Sequence, residues 1–152
     1  MTENPQLTWF RAVIPAVWFT EPIVVRSDRD EIVVIGALPA DVDPIEFRES
    51  TRAQRVAIAT QGEAIFARKV SWGVRSGADA LLFTHLNVPV MTRLRIDERS
   101  VLDALITGGI ARSRSEALSW CVELVGKHQH DWLQELVDAS EAVRKVRERG
   151  PA

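Results

Sequence analysis

Cysteine and histidine are scarce in this sequence, and tyrosine is absent. The 152 residues include one cysteine, three histidines and no tyrosine. The single cysteine, Cys121, excludes an internal disulfide framework and fits the reducing environment of the cytoplasm. No apolar run approaches the roughly 18–20 residues that a membrane span requires, and no secretory signal is visible near the first residue. The sequence therefore predicts a cytoplasmic protein.

Motifs for catalysis and for metal binding are also missing. No Cys-x-x-Cys or His-Glu-x-x-His spacing offers metal ligands, and no Gly-x-Ser-x-Gly turn offers a nucleophilic serine. Metal binding by Cys121, His128, His130 and Asp131 is one hypothesis, but a core position explains the cysteine better. We therefore expect neither an enzyme nor a protein that carries a metal or another cofactor.

Excess charge of either sign is small. The net charge is −2 and the isoelectric point is near 5.9, which argues against a protein that coats nucleic acid without specificity. Residues 90–115, however, contain five arginines against three acidic residues, a local charge of +2. This local excess is enough for a few phosphate contacts.

Residues 1–88 have the pattern of an α+β domain of the ββαββ type. Two pairs of β-branched runs are each joined by a short polar turn, as in β-hairpins. A helix between the pairs is predicted to begin after Asp43, which is a good N-cap, with proline at its first position. The strands are expected at residues 23–26, 31–36, 70–75 and 80–85, and the helix at about 44–69.

Four aromatic residues near the N-terminus allow two interpretations. Trp9, Phe10, Trp18 and Phe19 lie among prolines, which argue against a long helix. Either they form a buried edge segment, or they form an exposed patch that binds a partner or a ligand.

Three arginines of the predicted helix also allow two interpretations. Arg48, Arg52 and Arg55 share one helical face at positions i, i+4 and i+7. This face is either solvated and paired with Glu46 and Glu49, or it is a second surface for DNA phosphates or an acidic partner.

The most organised stretch is residues 90–127, which begins with a predicted strand. Its side chains alternate with a period of two. Asp97 is then a good N-cap for the helix that follows. One face of the strand is expected to carry Val90, Thr92, Leu94 and Ile96, and the other Met91, Arg93 and Arg95.

Two helices are predicted after this strand. The first has apolar residues at 101, 102, 105 and 106 and is broken by Gly108 and Gly109. The second begins at Ser113, with Glu116 three residues later. This spacing predicts a capping box, in which the serine hydroxyl accepts the Glu116 amide and the carboxylate accepts the Ser113 amide. One strand and two helices cannot bury this apolar surface alone, so the stretch is predicted to be half of a dimer.

The order strand, helix, glycine turn and capped helix, with the string GGIARSRSEAL, resembles the ribbon-helix-helix family of DNA-binding proteins, of the Arc, MetJ and CopG type. The resemblance covers roughly residues 90–127, about a quarter of the chain. The sequence departs from the family at Asp97, because such strands often lead into the first helix through a proline.

The resemblance implies a homodimer, or a higher oligomer on DNA. Two strands of residues 90–96 would pair antiparallel and enter the major groove as a ribbon. The free amides at the start of the second helix would hold a phosphate. Base contacts are then expected from Met91, Arg93 and Arg95, phosphate contacts from Ser113, Arg114 and Ser115, and the dimer core from Leu94, Ile96, Leu102, Leu105, Leu118 and Val122.

A final amphipathic helix is predicted at residues 132–149, capped by Asp131. The basic residues near its end suit the negative end of the helix dipole without any DNA. The expected organisation is an α+β domain at 1–88, a ribbon-helix-helix unit at 89–128 and a C-terminal helix at 129–152.

The function that this organisation predicts is sequence-specific binding of double-stranded DNA by a bacterial transcriptional regulator in the nucleoid. Residues 1–88 would serve sensing, assembly or auxiliary DNA contact, and repression and activation both stay open. The alternatives are an antitoxin that regulates its own operon, a nucleoid-associated architectural protein, and a strand-swapped dimerisation module that does not bind DNA.

Overall fold

A computed structural model describes residues 4–151 of the chain. In these residues it contains six α-helices, one turn of 3-10 helix and one four-stranded sheet, so the predicted α+β class is confirmed. The chain divides into two compact units, one up to residue 90 and one from residue 91 onwards.

The sheet of the first unit has its strands in chain order, with the two predicted pairs of strands on either side of a helical crossover. The first and last pairs are antiparallel hairpins. The two central strands are parallel and run in register from Glu31 opposite Lys69 to Ala37 opposite Arg75. Parallel neighbours need a crossover connection, which the helices between them supply. The strands are β1 Val24–Ser27, β2 Glu31–Ala37, β3 Lys69–Ser76 and β4 Asp79–Leu82.

The crossover contains two helices where one was predicted. Helix α2 spans Pro44–Ser50 and helix α3 spans Arg52–Phe66. Asp43 caps α2 as predicted, because its carboxylate accepts the amides of Ile45 and Glu46 at 2.9 Å. The break lies at Thr51, whose φ and ψ are −96° and 1°.

The N-terminal aromatic residues are part of the core and do not form an exposed patch. Helix α1, Pro5–Val13, and the 3-10 turn Ala16–Trp18 bring Phe10 and Trp18 against the sheet, where both are buried. Trp9 and Phe19 are half-buried against the same cluster. The first interpretation, a buried segment, is therefore correct. The rest of this core includes Ile23, Ile32, Val34, Phe47, Ile58, Val70, Trp72, Val74 and Phe83.

The arginine face is not uniformly solvated, because Arg55 is buried. Only 6% of Arg55 is exposed, and its guanidinium donates to the Thr51 hydroxyl at 3.0 Å and to the Arg48 carbonyl at 2.6 Å. The same group lies 4.8 Å from the ring centroid of Phe83, a cation–π contact. Burial and the nearby Arg48 lower the pKa of Arg55 from its ordinary value. The predicted pairing with glutamates is therefore wrong for this arginine, which instead contacts Phe83, the residue just after β4.

Arg55→Ala should destabilise the first unit. The change removes two hydrogen bonds from a charged donor and leaves a gap beside Phe83, so we expect the free energy of unfolding to fall by about 2–4 kcal/mol. Arg52→Ala is the matched control, because Arg52 is exposed one helical turn away. Urea unfolding followed by tryptophan fluorescence measures both variants. Equal stability of the two would contradict the structural role of Arg55.

The second unit contains three helices: α4 Ile96–Thr107, α5 Arg114–His128 and α6 His130–Arg149. The break between α5 and α6 lies at Gln129, which precedes the first residue of α6. The prediction that Asp131 caps the last helix is therefore wrong, since Asp131 lies in its first turn. No helix in residues 4–151 is both long and apolar enough to cross a membrane.

Candidate nucleic-acid interface

The segment that leads into α4 is anchored by one apolar side chain. Leu94 is half-buried against the small core of the second unit. The Arg99 guanidinium donates to the Leu94 carbonyl at 2.6 Å, and the Arg95 amide donates to the Glu98 carboxylate at 2.6 Å. These two bonds hold the backbone on both sides of Leu94 against the start of the helix.

The three predicted base-reading side chains are all exposed around this anchor. Met91 is 92% exposed, and Arg93 and Arg95 are also exposed. In the described part of the chain, neither arginine forms an ion pair. Leu94 between two exposed arginines fits the predicted alternation. Val90, which is 84% exposed, and Thr92, which is also exposed, do not take the inward positions predicted for them.

The predicted strand is not formed within the single chain, and its last residue is misplaced. Residues 84–95 have no regular secondary structure in the described chain. Ile96 is the first residue of α4 and is 68% exposed, so its predicted inward position on the strand is wrong. Arg95 is the N-cap instead of Asp97. The helix begins early because Glu98 accepts the Arg95 amide, which closes the first turn around residue 95.

The core between α4 and α5 is small. Leu102, Ala111 and Ala117 are buried, while Leu105 and Leu118 are half-buried against them. Four of the six residues predicted for the dimer core, Leu94, Leu102, Leu105 and Leu118, therefore meet in this cluster. Ile96 and Val122 do not, and Val122 is 67% exposed in the single chain.

Large apolar side chains remain on the outside of the same helices. A core of three buried residues cannot cover both helices, so this surface is available to a second chain. The exposed apolar residues of α4, the following turn and α5 include Val101, Ile110, Trp120, Val122, Leu124 and Val125.

The glycine turn predicted between the two helices is present. Gly108 follows the last residue of α4, and Gly109 has a φ of +76°, a conformation in which a β-carbon is strained. The Ile110 amide then donates to the Leu105 carbonyl at 3.0 Å. This geometry ends α4 and returns the chain toward α5.

The N-cap of α5 is the predicted one, but its capping box differs from the prediction. The Ser113 hydroxyl accepts the Glu116 amide at 3.2 Å, as expected. The Glu116 carboxylate accepts the Arg112 amide at 2.7 Å, one residue earlier than the predicted Ser113 amide. The Arg112 guanidinium also bonds this carboxylate and lowers the pKa of Glu116.

Arg114 forms a contact that the sequence did not reveal. Its guanidinium donates two hydrogen bonds of 2.8 Å to the carboxylate of Asp103 on α4. These bonds lower the pKa of Asp103 and raise that of Arg114. The ion pair crosses from α4 to α5 over eleven residues, so only the combined helix and turn lengths could have indicated it.

The Arg114 contact divides the local arginines into two groups. Arg112 and Arg114 are paired with carboxylates, whereas Arg93 and Arg95 have no carboxylate partner among residues 4–151. An anion at the start of α5 would therefore meet backbone amides and the hydroxyls of Ser113 and Ser115, with the Arg114 side chain already engaged. Ser113, Arg114 and Ser115 are all exposed, as a phosphate contact requires.

Ser113→Ala should loosen the start of α5. The loss of a serine cap costs about 1 kcal/mol, which corresponds to roughly fivefold faster hydrogen exchange for amides protected by local opening. Ser115→Ala is the control, because its side chain is exposed within the first turn. Exchange of the Ala117 and Leu118 amides measures the effect. An unchanged rate in Ser113→Ala would show that the hydroxyl does not cap the helix.

Metal ligands do not converge anywhere in the described residues. No group of three or more histidine, cysteine, aspartate or glutamate side chains in residues 4–151 has the geometry to hold a metal ion. Cys121 is half-buried beside the Leu102 cluster, which agrees with its interpretation as a core residue.

Comparison with known proteins gives matches in both units. Residues 6–82 match the family described as Rv1265-like protein, N-terminal domain, and residues 95–147 match the Mb1296 C-terminal domain. Mb1296 of Mycobacterium bovis is 46% identical over 155 residues, which cover 94% of this chain and 69% of that relative. The chain belongs to the Rv1265-like family. Rv1265 of Mycobacterium tuberculosis gives the same identity and coverage.

These matches show which family the chain belongs to, but they name no biochemical activity. Both relatives bear the description "uncharacterized protein", and neither family description names DNA binding or a ribbon-helix-helix fold. No solved structure matches the chain. The two family matches lie on either side of residues 83–94, so the exposed segment with Arg93 lies between them.

Proposed function

We propose that this Rv1265-like protein is a dimeric regulator of transcription that binds specific sequences of double-stranded DNA. The observation that carries the proposal is the arrangement of residues 91–95. Arg93 and Arg95 are exposed and have no ion-pair partner in the described chain, while Leu94 between them is anchored to the helices. Arginine pairs well with guanine in the major groove, because its fork bonds both O6 and N7.

Two features of the single chain support a dimer: backbone groups in residues 90–95 without a strand partner and exposed apolar side chains on α4 and α5. Residues 90–95 form no strand alone, and antiparallel pairing with a second copy would satisfy their backbone groups. The exposed apolar side chains of α4 and α5 would supply the second half of the core. The two copies would then bring two pairs of arginines to a two-fold-related pair of half-sites.

The start of α5 supplies the non-specific part of the proposed interface. The Arg114 and Ser115 amides lie at the positive end of a fifteen-residue helix capped by Ser113, where an anion is favoured. A phosphate there would fix the register of the ribbon on the duplex without reading its sequence.

Selection from a pool of randomised duplexes tests the proposal. The full chain, at moderate salt, should enrich duplexes that contain two related half-sites with guanines in each. The selected duplex should bind with an affinity that falls steeply as salt rises, because phosphate contacts release counterions. A pool that stays random after several rounds would overturn sequence-specific binding.

A further inference from the structure

Helix α6, His130–Arg149, carries its charges in two blocks. Residues 130–141 contain four acidic residues and no lysine or arginine, whereas residues 142–149 contain four basic residues and one glutamate. The helix dipole favours this order only within the first and last turns. Asp138 and Arg144 lie near the middle of the helix, so the dipole does not account for them.

The same helix has an apolar stripe that the single chain leaves uncovered. No residue of α6 is buried. The spacing of the stripe alternates between four and three residues, a mean period of 3.5, which is the period of a coiled-coil seam. The stripe consists of Trp132, Leu136, Ala139, Val143 and Val146, and its four large members are all exposed.

We propose that α6 pairs antiparallel with α6 of a second copy of this chain. An antiparallel pair places the acidic half of each helix beside the basic half of the other. A parallel pair would place like charges side by side, which is unfavourable. Along the seam the small Ala139 would face Val143 of the second copy, and Leu136 would face Val146.

Two charged residues flank this seam in a way that fits only the antiparallel pair. Glu135 lies one residue before Leu136, and Arg149 lies two heptads after Glu135, on the same side of the stripe. In an antiparallel coiled coil such positions face each other, so Glu135 would meet Arg149 of the second copy, twice by symmetry. Neither residue has an ion-pair partner in the described chain.

A second copy suits this surface better than a lipid membrane. A helix that lies on an anionic membrane carries lysine and arginine along its polar face, but the first twelve residues of α6 carry neither. This pairing is a contact separate from the proposed ribbon, and it does not depend on DNA binding.

Disulfide cross-linking of the full chain tests the orientation. In a Cys121→Ser background, Ala142 would lie beside Ala142 of the second copy, close to the two-fold axis. Ala142→Cys should therefore form a covalent dimer with oxidised glutathione roughly tenfold faster than Glu141→Cys, the control on the adjacent outward position, since a disulfide needs close β-carbons. Val146→Cys should cross-link as slowly as the control.

Any other result of the cross-linking experiment would overturn the inference. Rapid cross-linking of Val146→Cys would mean a parallel pair, and equal rates at residues 141 and 142 would mean that this seam is not formed. Recruitment of the protein by anionic vesicles, without a cross-link at residue 142, would point to a membrane surface instead.

A charge swap tests the flanking pairs independently. Glu135→Arg alone and Arg149→Glu alone should each slow the cross-link at residue 142 on the order of tenfold, because two attractions become repulsions. The double variant should recover most of the original rate. Circular dichroism should give equal helix content for all three. A double variant as slow as the single ones would contradict the proposed contact.

Discussion

Val122→Glu is expected to disrupt the α4–α5 core of the full-length protein, although Val122 is 67% exposed in the single chain. In the proposed dimer this side chain lies in the apolar interface, and a carboxylate there is buried without a partner. The cost should be about 3 kcal/mol or more. In the proposed dimer the folding of this small core would be coupled to dimer formation, so the loss should reach Leu102 and Ala117 beneath it.

Hydrogen exchange of the Leu118 and Cys121 amides measures the Val122→Glu effect, with roughly hundredfold faster exchange expected from a loss of about 3 kcal/mol. This signal follows the α4–α5 core, so pairing through α6 does not mask it. Val56→Glu is the matched control, because Val56 lies on α3 with 57% exposure. Its amides should exchange as in the unchanged protein. If both variants behaved alike, the dimer interface on α5 would be refuted.

Arg95→Ala should remove the preference of the protein for its selected duplex while sparing the fold. Each dimer would lose two arginine forks, which costs roughly 2–6 kcal/mol of discrimination at about 1–3 kcal/mol per contact. The helix cap at this position should survive, because it uses the Arg95 backbone amide and the Glu98 carboxylate. Arg93→Ala should have an effect of the same kind.

Fluorescence anisotropy with selected and scrambled duplexes at matched salt separates specificity from affinity in these variants. Arg26→Ala is the control, because Arg26 is an exposed arginine of β1 in the first unit. It removes one positive charge per chain and should leave the preference unchanged. An Arg95→Ala protein that keeps its full preference would mean that this segment does not read the bases.

The features that the sequence predicted well depend on local interactions. The Asp43 and Ser113 caps, the two hairpins and the Gly109 turn each involve groups within a few residues of one another. Such contacts are read directly from spacing, because the chain itself brings the partners together.

The features that the sequence missed depend on distant partners or on competing local bonds. Arg55 looked solvated because Phe83, its neighbour from beyond β4, is 28 residues away in the chain. Ile96 was placed on a strand because the alternation continues through it, but the bond from the Arg95 amide to Glu98 begins the helix there. The ion pair between Asp103 and Arg114 could be predicted only if the conformation of the whole turn between α4 and α5 were known.

Methylation of guanine N7 in the selected duplex tests the central claim most directly, because N7 lies in the major groove and is one of the two atoms that an arginine fork bonds. We expect methylation at one or more guanines of each half-site to block binding of the unchanged protein. Arg95→Ala should lose this sensitivity at the same guanine in both half-sites while keeping its phosphate contacts. Binding that is indifferent to N7 methylation, or an identical pattern in Arg95→Ala, would contradict the proposal that residues 91–95 read DNA in the major groove.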